Sequence, residues 1–215
     1  MKKNRKNKSG TRFESANILM KELEQEPAHV KQVCNLALQL FDQLQLLHGY
    51  GQNVRDMLEV AALLHDIGDS NGKKGHHIKS FNMILNSDLD GWNKKEKLVI
   101  ANIARYHTKS LPRSNHKKFT DLSLKNQQKV LKLAALLRLA DGLDRSHSDA
   151  IKNLNCEIGK NKINVNVESR GDITLEIDGF DKKKNLFVKV YGRKIVIDKI
   201  KNIWHIESRH LVNSE

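Results

Sequence analysis

A chain of 215 residues with 39% hydrophobic content is long enough for one large or two small domains and can bury a core. Its formal net charge of +13 offers an attractive field to any polyanion, while 5% aromatic residues leave few platforms for stacking single-stranded bases. Cys34 and Cys156 stand far apart, which gives neither a disulfide framework nor a cysteine zinc site, and no stretch reaches the roughly 18 apolar residues of a membrane span.

The basic start, Met1 to Gly10, is followed by no apolar run, so residues 1–11 are expected to be a disordered tail rather than a secretory signal, and the protein to be cytoplasmic. A short polar helix is expected around Phe13 to Glu24. Pro27 then sets the first turn of a stronger helix, in which Val30, Val33, Cys34, Ala37, Leu38, Phe41 and Leu44 recur at helical spacing. His29 projects from that core-facing stripe, as a metal ligand or equally as a core histidine bonded to a backbone carbonyl.

After a break at Leu46 to Gly51, nearly every side chain from Met57 to Leu64 is apolar, so this helix is greasy on all faces and therefore buried. His65 and Asp66 then arrive together. A buried carboxylate beside an imidazole is costly unless something pairs with it, and a cation is the commonest partner. Asp69 follows one helical turn later, on the same side if the helix continues, where it could orient or deprotonate a water; a simple turn residue has the same signature. The Gly-rich basic loop from Asp69 to Gly75, with Lys73 and Lys74, leads into His76 and His77 at the start of another helix, a place that suits an anion.

Asn93 caps a helix from Lys94 to about His107, closed by Leu111-Pro112, and Arg113 to Leu122 is expected to be a mobile polar loop. Ser123 opens a long helix in which Val130, Leu133, Ala134, Leu137 and Asp141 share one stripe, so Asp141 is an acid where the pattern calls for a hydrophobe. Beyond Ile151 the texture shifts to alternating Ile and Val. Residues 162–168, 172–178 and 194–198 are expected as strands, whereas 180–191 suits helix and strand equally. The expected fold is thus mainly α, a helical bundle over 12–150 followed by a small α+β domain over 151–215.

His29, His65, Asp66 and Asp141 all lie on or at the ends of core-facing stripes of three helices. Packing those helices would converge two imidazoles and two carboxylates, a set suited to manganese, magnesium, iron, nickel or zinc without choosing among them. The order of a His, a His-Asp pair and a distant Asp resembles the HD superfamily of metal-dependent phosphohydrolases. More closely, the runs His29 to Val33, Ala61 to Gly68, Gly75-His76-His77, Arg105-Tyr106-His107 and Leu136 to Arg145 resemble the HD-like C-terminal half of the exopolyphosphatase / guanosine pentaphosphate phosphatase family, from about Glu26 through the strand-rich tail.

That resemblance implies an HD-domain bundle and a small α+β domain, without the N-terminal actin-like ATPase-fold domains that carry the family's polyphosphate-cleaving site. It implies a divalent ion on His29, His65, Asp66 and Asp141 and hydrolysis of a phosphate ester or anhydride of a nucleotide, such as guanosine penta- or tetraphosphate, or of polyphosphate. Asp69 would act on the attacking water. Lys73, Lys74, His76, His77, Arg105, His107, Arg138 and Arg145 would neutralise phosphates, with Arg138 and His107 foremost because each adjoins an apolar stripe near the site. Lys79 stands where the family pattern has a further histidine, which would reduce the site to one ion with Lys79 as a phosphate contact. The second expectation is a non-catalytic polyanion-binding module, paired with itself or with a separately encoded ATPase-fold half. A purely RNA-directed binder, without any RNA motif, ranks last.

Overall fold

The computed structural model describes residues 8–24, 26–71, 74–108 and 110–199. In chain order its helices are α1 (Lys8–Leu23), α2 (Pro27–Gln43), α3 (Gln45–His48), α4 (Gln52–Leu63), α5 (His76–Asn86), α6 (Lys94–Arg105), α7 (Lys117–Thr120) and α8 (Leu124–Gly142). Strands β1 (Ile151–Ile158) and β2 (Lys162–Ser169), helices α9 (Thr174–Lys183) and α10 (Asn185–Tyr191) and strand β3 (Lys194–Lys199) complete it. Helix α1 begins inside the span expected to be a tail; the residues before it lie outside those described.

The bundle forms because α4 and α8 are apolar around most of their circumference. Met57, Leu58, Val60, Ala61, Ala62 and Leu63 of α4 are all buried, as is the run from Leu133 to Ala140 of α8. At about 1.5–3 kcal/mol for each fully buried Leu, Val or Met, these faces supply much of the folding drive. Helix α8 packs against α2 and α6 and also against α9 and α10, so it joins the two halves of the chain. The N-terminus of α6 is closed by a capping box in which Asn93 accepts from Lys95 N and Glu96 N, while the Glu96 carboxylate accepts from Asn93 N.

In the second half, β1 and β2 are antiparallel, with Cys156 opposite Val165, and β3 returns parallel to β2 after the α9–α10 crossover. Ile163, Val165, Val167 and Ser169 alternate inward along β2. The free edge of β1 is covered by glutamines of α2. Gln32 Nε2 donates to Ile151 O and Gln43 Nε2 to Leu154 O (2.6 Å), while Gln39 Oε1 accepts from Leu154 N (3.0 Å) and Gln43 Oε1 from Cys156 N (2.6 Å). These amides replace a missing fourth strand and fix the rotation of α2 about its axis.

The strand expected over 172–178 is instead the first half of α9. Ile173, Glu176, Gly179 and Phe180 are buried at helical spacing, whereas Leu175 is 55% exposed. The alternation of Ile, Leu and Ile suggested a strand because the inward position 176 carries a carboxylate, which is satisfied there by Ser146 N at 2.9 Å. Packing on α8 overrides the local β preference. Residues 180–191 are helical in α9 and α10 apart from a turn at Lys184, and the loop expected over 113–122 contains α7, whose Phe119 is buried.

The α8–α9 crossing depends on two glycines. A Cβ on Gly142 would stand 2.8 Å from the Gly179 carbonyl carbon, and one on Gly179 would stand closer still to the Gly142 oxygen. No helix among the described residues is long and apolar enough to cross a membrane. Burial pushes the thiols of Cys34 and Cys156 up to about 12, which keeps both protonated and inert.

Candidate metal centre

Helix α4 ends one residue before its last amide bond, Leu64 N to Val60 O at 3.2 Å, and the chain bends through His65 and Asp66 into a 3-10 turn over Ile67–Asn71. This tight turn is possible because Gly68 abuts the start of α5. A Cβ there would lie 2.5 Å from both His76 O and Ser80 N, and Gly68 N donates to Ser80 Oγ at 3.0 Å. The abutment carries His76 to Asp66.

Three imidazoles are held in one tautomer by acceptors that can only accept. His65 Nδ1 donates to Ala62 O (2.8 Å), His107 Nδ1 to Ala104 O (2.6 Å), and His29 Nδ1 to the buried carboxylate of Asp144 (2.7 Å). Each therefore presents a bare Nε2 lone pair, and second acceptor-held nitrogens of this kind orient metal-binding histidines. The lone pairs converge on carboxylates. His65 Nε2 stands 3.5 Å from Asp66 Oδ2, His107 Nε2 is 3.2 Å from Asp66 Oδ1, and His29 Nε2 is 3.8 Å from Asp141 Oδ1. His76 Nε2 approaches Asp66 Oδ1 at 3.4 Å and His107 Nε2 at 3.1 Å.

These donors fall into overlapping groups whose ligand atoms lie within 4.8 Å of one another: His29, His65 and Asp66; His65, His107 and Asp141; Asp66, His76 and His107. His65 Nε2, Asp66 Oδ1 and Asp69 Oδ1 are buried without a hydrogen-bond partner. Buried polar atoms left in this way are costly unless a ligand satisfies them, so the side chains fit a divalent cation. Burial opposes the charged form of Asp66, but positive charge on the His65, His107 and His76 rings when they are protonated outweighs it and holds this carboxyl far below the usual range, a role that a bound cation would take over beside the neutral rings. Asp141 is likewise lowered against burial, chiefly by Lys183, whose ammonium ion-pairs with Asp141 Oδ2.

His29, Asp66, His76, His107 and Asp141 line an open cleft of ≈ 240 Å³ whose walls also carry Glu24, Glu26, Asp69, Arg145, His147 and Lys183, with His65 buried behind them. Of the expected metal ligands, His29, His65, Asp66 and Asp141 come together. Asp69 lines the cleft from the 3-10 turn, its amide bonded to Asp66 O at 2.8 Å. His76 and His107, expected to meet phosphate, stand among the metal donors. Arg145 lines the cleft, whereas Lys74 is exposed and does not line it, and Lys73 lies outside the described residues.

Arg138 is fully buried and faces away from the cleft. Its guanidinium donates to Tyr106 O (2.7 Å), Asn185 Oδ1 (3.3 Å) and Ser110 O, leaving little for a ligand. Arg105 lies over the rings of Phe81 and Tyr106, and His77 is outside the cleft lining. Both read as packing residues. Asp144, His147 and Lys183 join the site without having been expected there. Asp144 had a signal in the sequence, a second acid one turn after Asp141 in the same run. His147 adopts φ 56° and stacks on His29 at 3.8 Å and 7°, with Nδ1 on the Glu26 carboxylate. Lys183 was hidden because it comes from the second half of the chain. With this geometry in place, a family model described as Ppx/GppA phosphatase, domain III, matches residues 11–187.

Proposed function

Because the chain belongs to the Ppx/GppA phosphatase family through its domain III, over most of its length, we propose that it is an HD-type, metal-dependent phosphohydrolase acting on a phosphate ester or anhydride of a nucleotide or on polyphosphate. The observation that carries this reading is the convergence of the tautomer-fixed Nε2 atoms of His29, His65 and His107 on the carboxylates of Asp66 and Asp141. His29, His65, Asp66 and Asp141 would hold one divalent ion. Asp66, His76 and His107 would hold a second, with Asp66 common to both. The Lys79 substitution then costs no ligand, because His107 of α6 supplies the donor.

A divalent ion held there supplies Lewis-acid stabilisation of phosphoryl charge and a more acidic water. The chain's own residues do the rest. Asp69, with its buried and unbonded Oδ1 in the cleft wall, accepts the proton of the attacking water. Asp144 keeps His29 in the ligating tautomer, and the carbonyls of Ala62 and Ala104 do the same for His65 and His107.

The test is metal content together with phosphate release from nucleotides, guanosine tetra- and pentaphosphate and polyphosphate, for the wild type and Asp66→Ala. Loss of both ions and of turnover in the variant is expected; turnover that survives Asp66→Ala with metal removed would sink the mechanism. The net charge of +13 favours a second reading, a non-catalytic polyanion-binding module working with a second copy or a separate ATPase-fold partner. Strongly salt-dependent polyphosphate binding without turnover of any substrate would select it.

A further inference from the structure

We propose that Lys183, together with Arg145, is the phosphate clamp of the cleft, an anion site supplied by the α8–α9 crossing. This rests on the phosphohydrolase reading above and names the groups that would hold its substrate. The described walls of the cleft carry five carboxylates, Glu24, Glu26, Asp66, Asp69 and Asp141, but only two lysine or arginine residues, Lys183 and Arg145. A phosphoryl group entering there needs cations near it. Of the other described candidates, Arg138 donates to backbone carbonyls, Arg105 lies over aromatic rings and Lys74 does not line the cleft.

Both clamp residues are placed by one contact. Arg145 follows Gly142 by three residues and Lys183 follows Gly179 by four, and a Cβ on Gly179 would meet Arg145 Cβ at 2.9 Å. The glycine crossing therefore brings both residues to the lining of the same cleft. The two oxygens of Asp141 are divided between two partners. Oδ1 faces His29 Nε2 at 3.8 Å, while Oδ2 takes Lys183. An ammonium has three donors, and Asp141 occupies one, which leaves two for a phosphoryl oxygen. The Lys183 side chain is only 16% exposed, so its charge is weakly screened and its position held.

Calorimetric binding of inorganic phosphate to the manganese-loaded protein tests this, with Lys183→Met, Lys183→Arg and Arg145→Gln compared with the wild type and manganese stoichiometry measured for each. Lys183→Met is expected to take up manganese normally and to bind phosphate about tenfold or more weakly, with Lys183→Arg close to the wild type. Normal metal uptake with unchanged phosphate affinity in both Lys183→Met and Arg145→Gln overturns the clamp while leaving the phosphohydrolase reading intact. Should Lys183→Met fail to fold, Arg145→Gln decides alone, since Arg145 is exposed and its loss leaves the packing unchanged. A wild-type protein that takes up none of manganese, magnesium, iron, nickel and zinc defeats the phosphohydrolase reading and the clamp together.

Discussion

Replacing Asp144 by Asn isolates the orientation of His29 from the ligands themselves. Asp144 is 1% exposed; its Oδ2 accepts from His29 Nδ1 at 2.7 Å and its Oδ1 from Asp149 N at 3.1 Å. Two N–H donors thus require two acceptors, and an amide offers one. Turned with its oxygen to Asp149, the introduced amide would present its NH2 to His29, which relieves the clash by shifting its proton to Nε2, the atom that faces Asp141. Turned the other way, it leaves the Asp149 amide facing a donor, at a residue already held at φ 52°. Loss of such a partner typically weakens metal binding by about 10–100-fold, which corresponds to about 1.4–2.8 kcal/mol. The measurements are manganese affinity by competition with a chromophoric chelator and the 15N shifts of the His29 ring. A folded Asp144→Asn protein with wild-type affinity and Nδ1 still protonated would refute the orienting role.

Gly142→Ala should lower Tm despite the better helix propensity of alanine, since the new methyl meets Gly179 at 2.8 Å; a cost of about 1–3 kcal/mol corresponds to several degrees, and an unchanged or raised Tm would show that α9 can shift freely. Arg138→Met should cost about 2–4 kcal/mol by stranding the buried carbonyl of Tyr106 and removing the bonds to Ser110 O and Asn185, with manganese stoichiometry and phosphate affinity of the folded protein unchanged; lost phosphate binding at normal Tm would restore Arg138 as a ligand contact. Burial lowers the pKa of His48, which is neutral between Phe41 O and Tyr50 N, and burial with the charges of His107, His76 and Arg105 lowers His77 to about 4. Both bind fewer protons folded than unfolded, so their stabilisation is complete above the ordinary value of 6.5 and is lost as pH falls below it, for His77 down to about 4. Thermal melts in chelator across that window should show the decline, less steeply in His48→Asn, and a Tm that rises on acidification would contradict it.

The cluster of imidazoles and carboxylates at the candidate site was legible because its residues break patterns. His29, His65 and Asp141 are polar or charged at positions where helical spacing calls for hydrophobes, and burial of the two histidines at 4% and 0% marks how unusual those positions are. Residues that merely support or complete the site carry no such mark. Lys183 sits in a lysine run that resembles any solvated helix face, and what singles it out is Gly179, whose importance exists only once α8 lies across it. Arg138 misled for a related reason. A cation on an apolar stripe signals a buried partner, but sequence cannot say whether that partner is a ligand phosphate or the protein's own carbonyl groups. The strand expected over 172–178 failed where a buried glutamate took an inward position, so that the apolar count favoured the wrong period.

The glutamines of α2 that bond the outer edge of β1 give the small sheet a direction of growth. Backbone groups that would otherwise stand ready for a neighbouring chain are already engaged by Gln32, Gln39 and Gln43, and these lie on the same helix as His29. Strand addition at β1 would have to pull that helix's amides away and, with them, the rotation that aims an imidazole at the cleft. Self-association through this edge is thereby opposed by the same bonds that keep the site assembled, and among the described strands only β3 presents an edge at which another strand could be accepted.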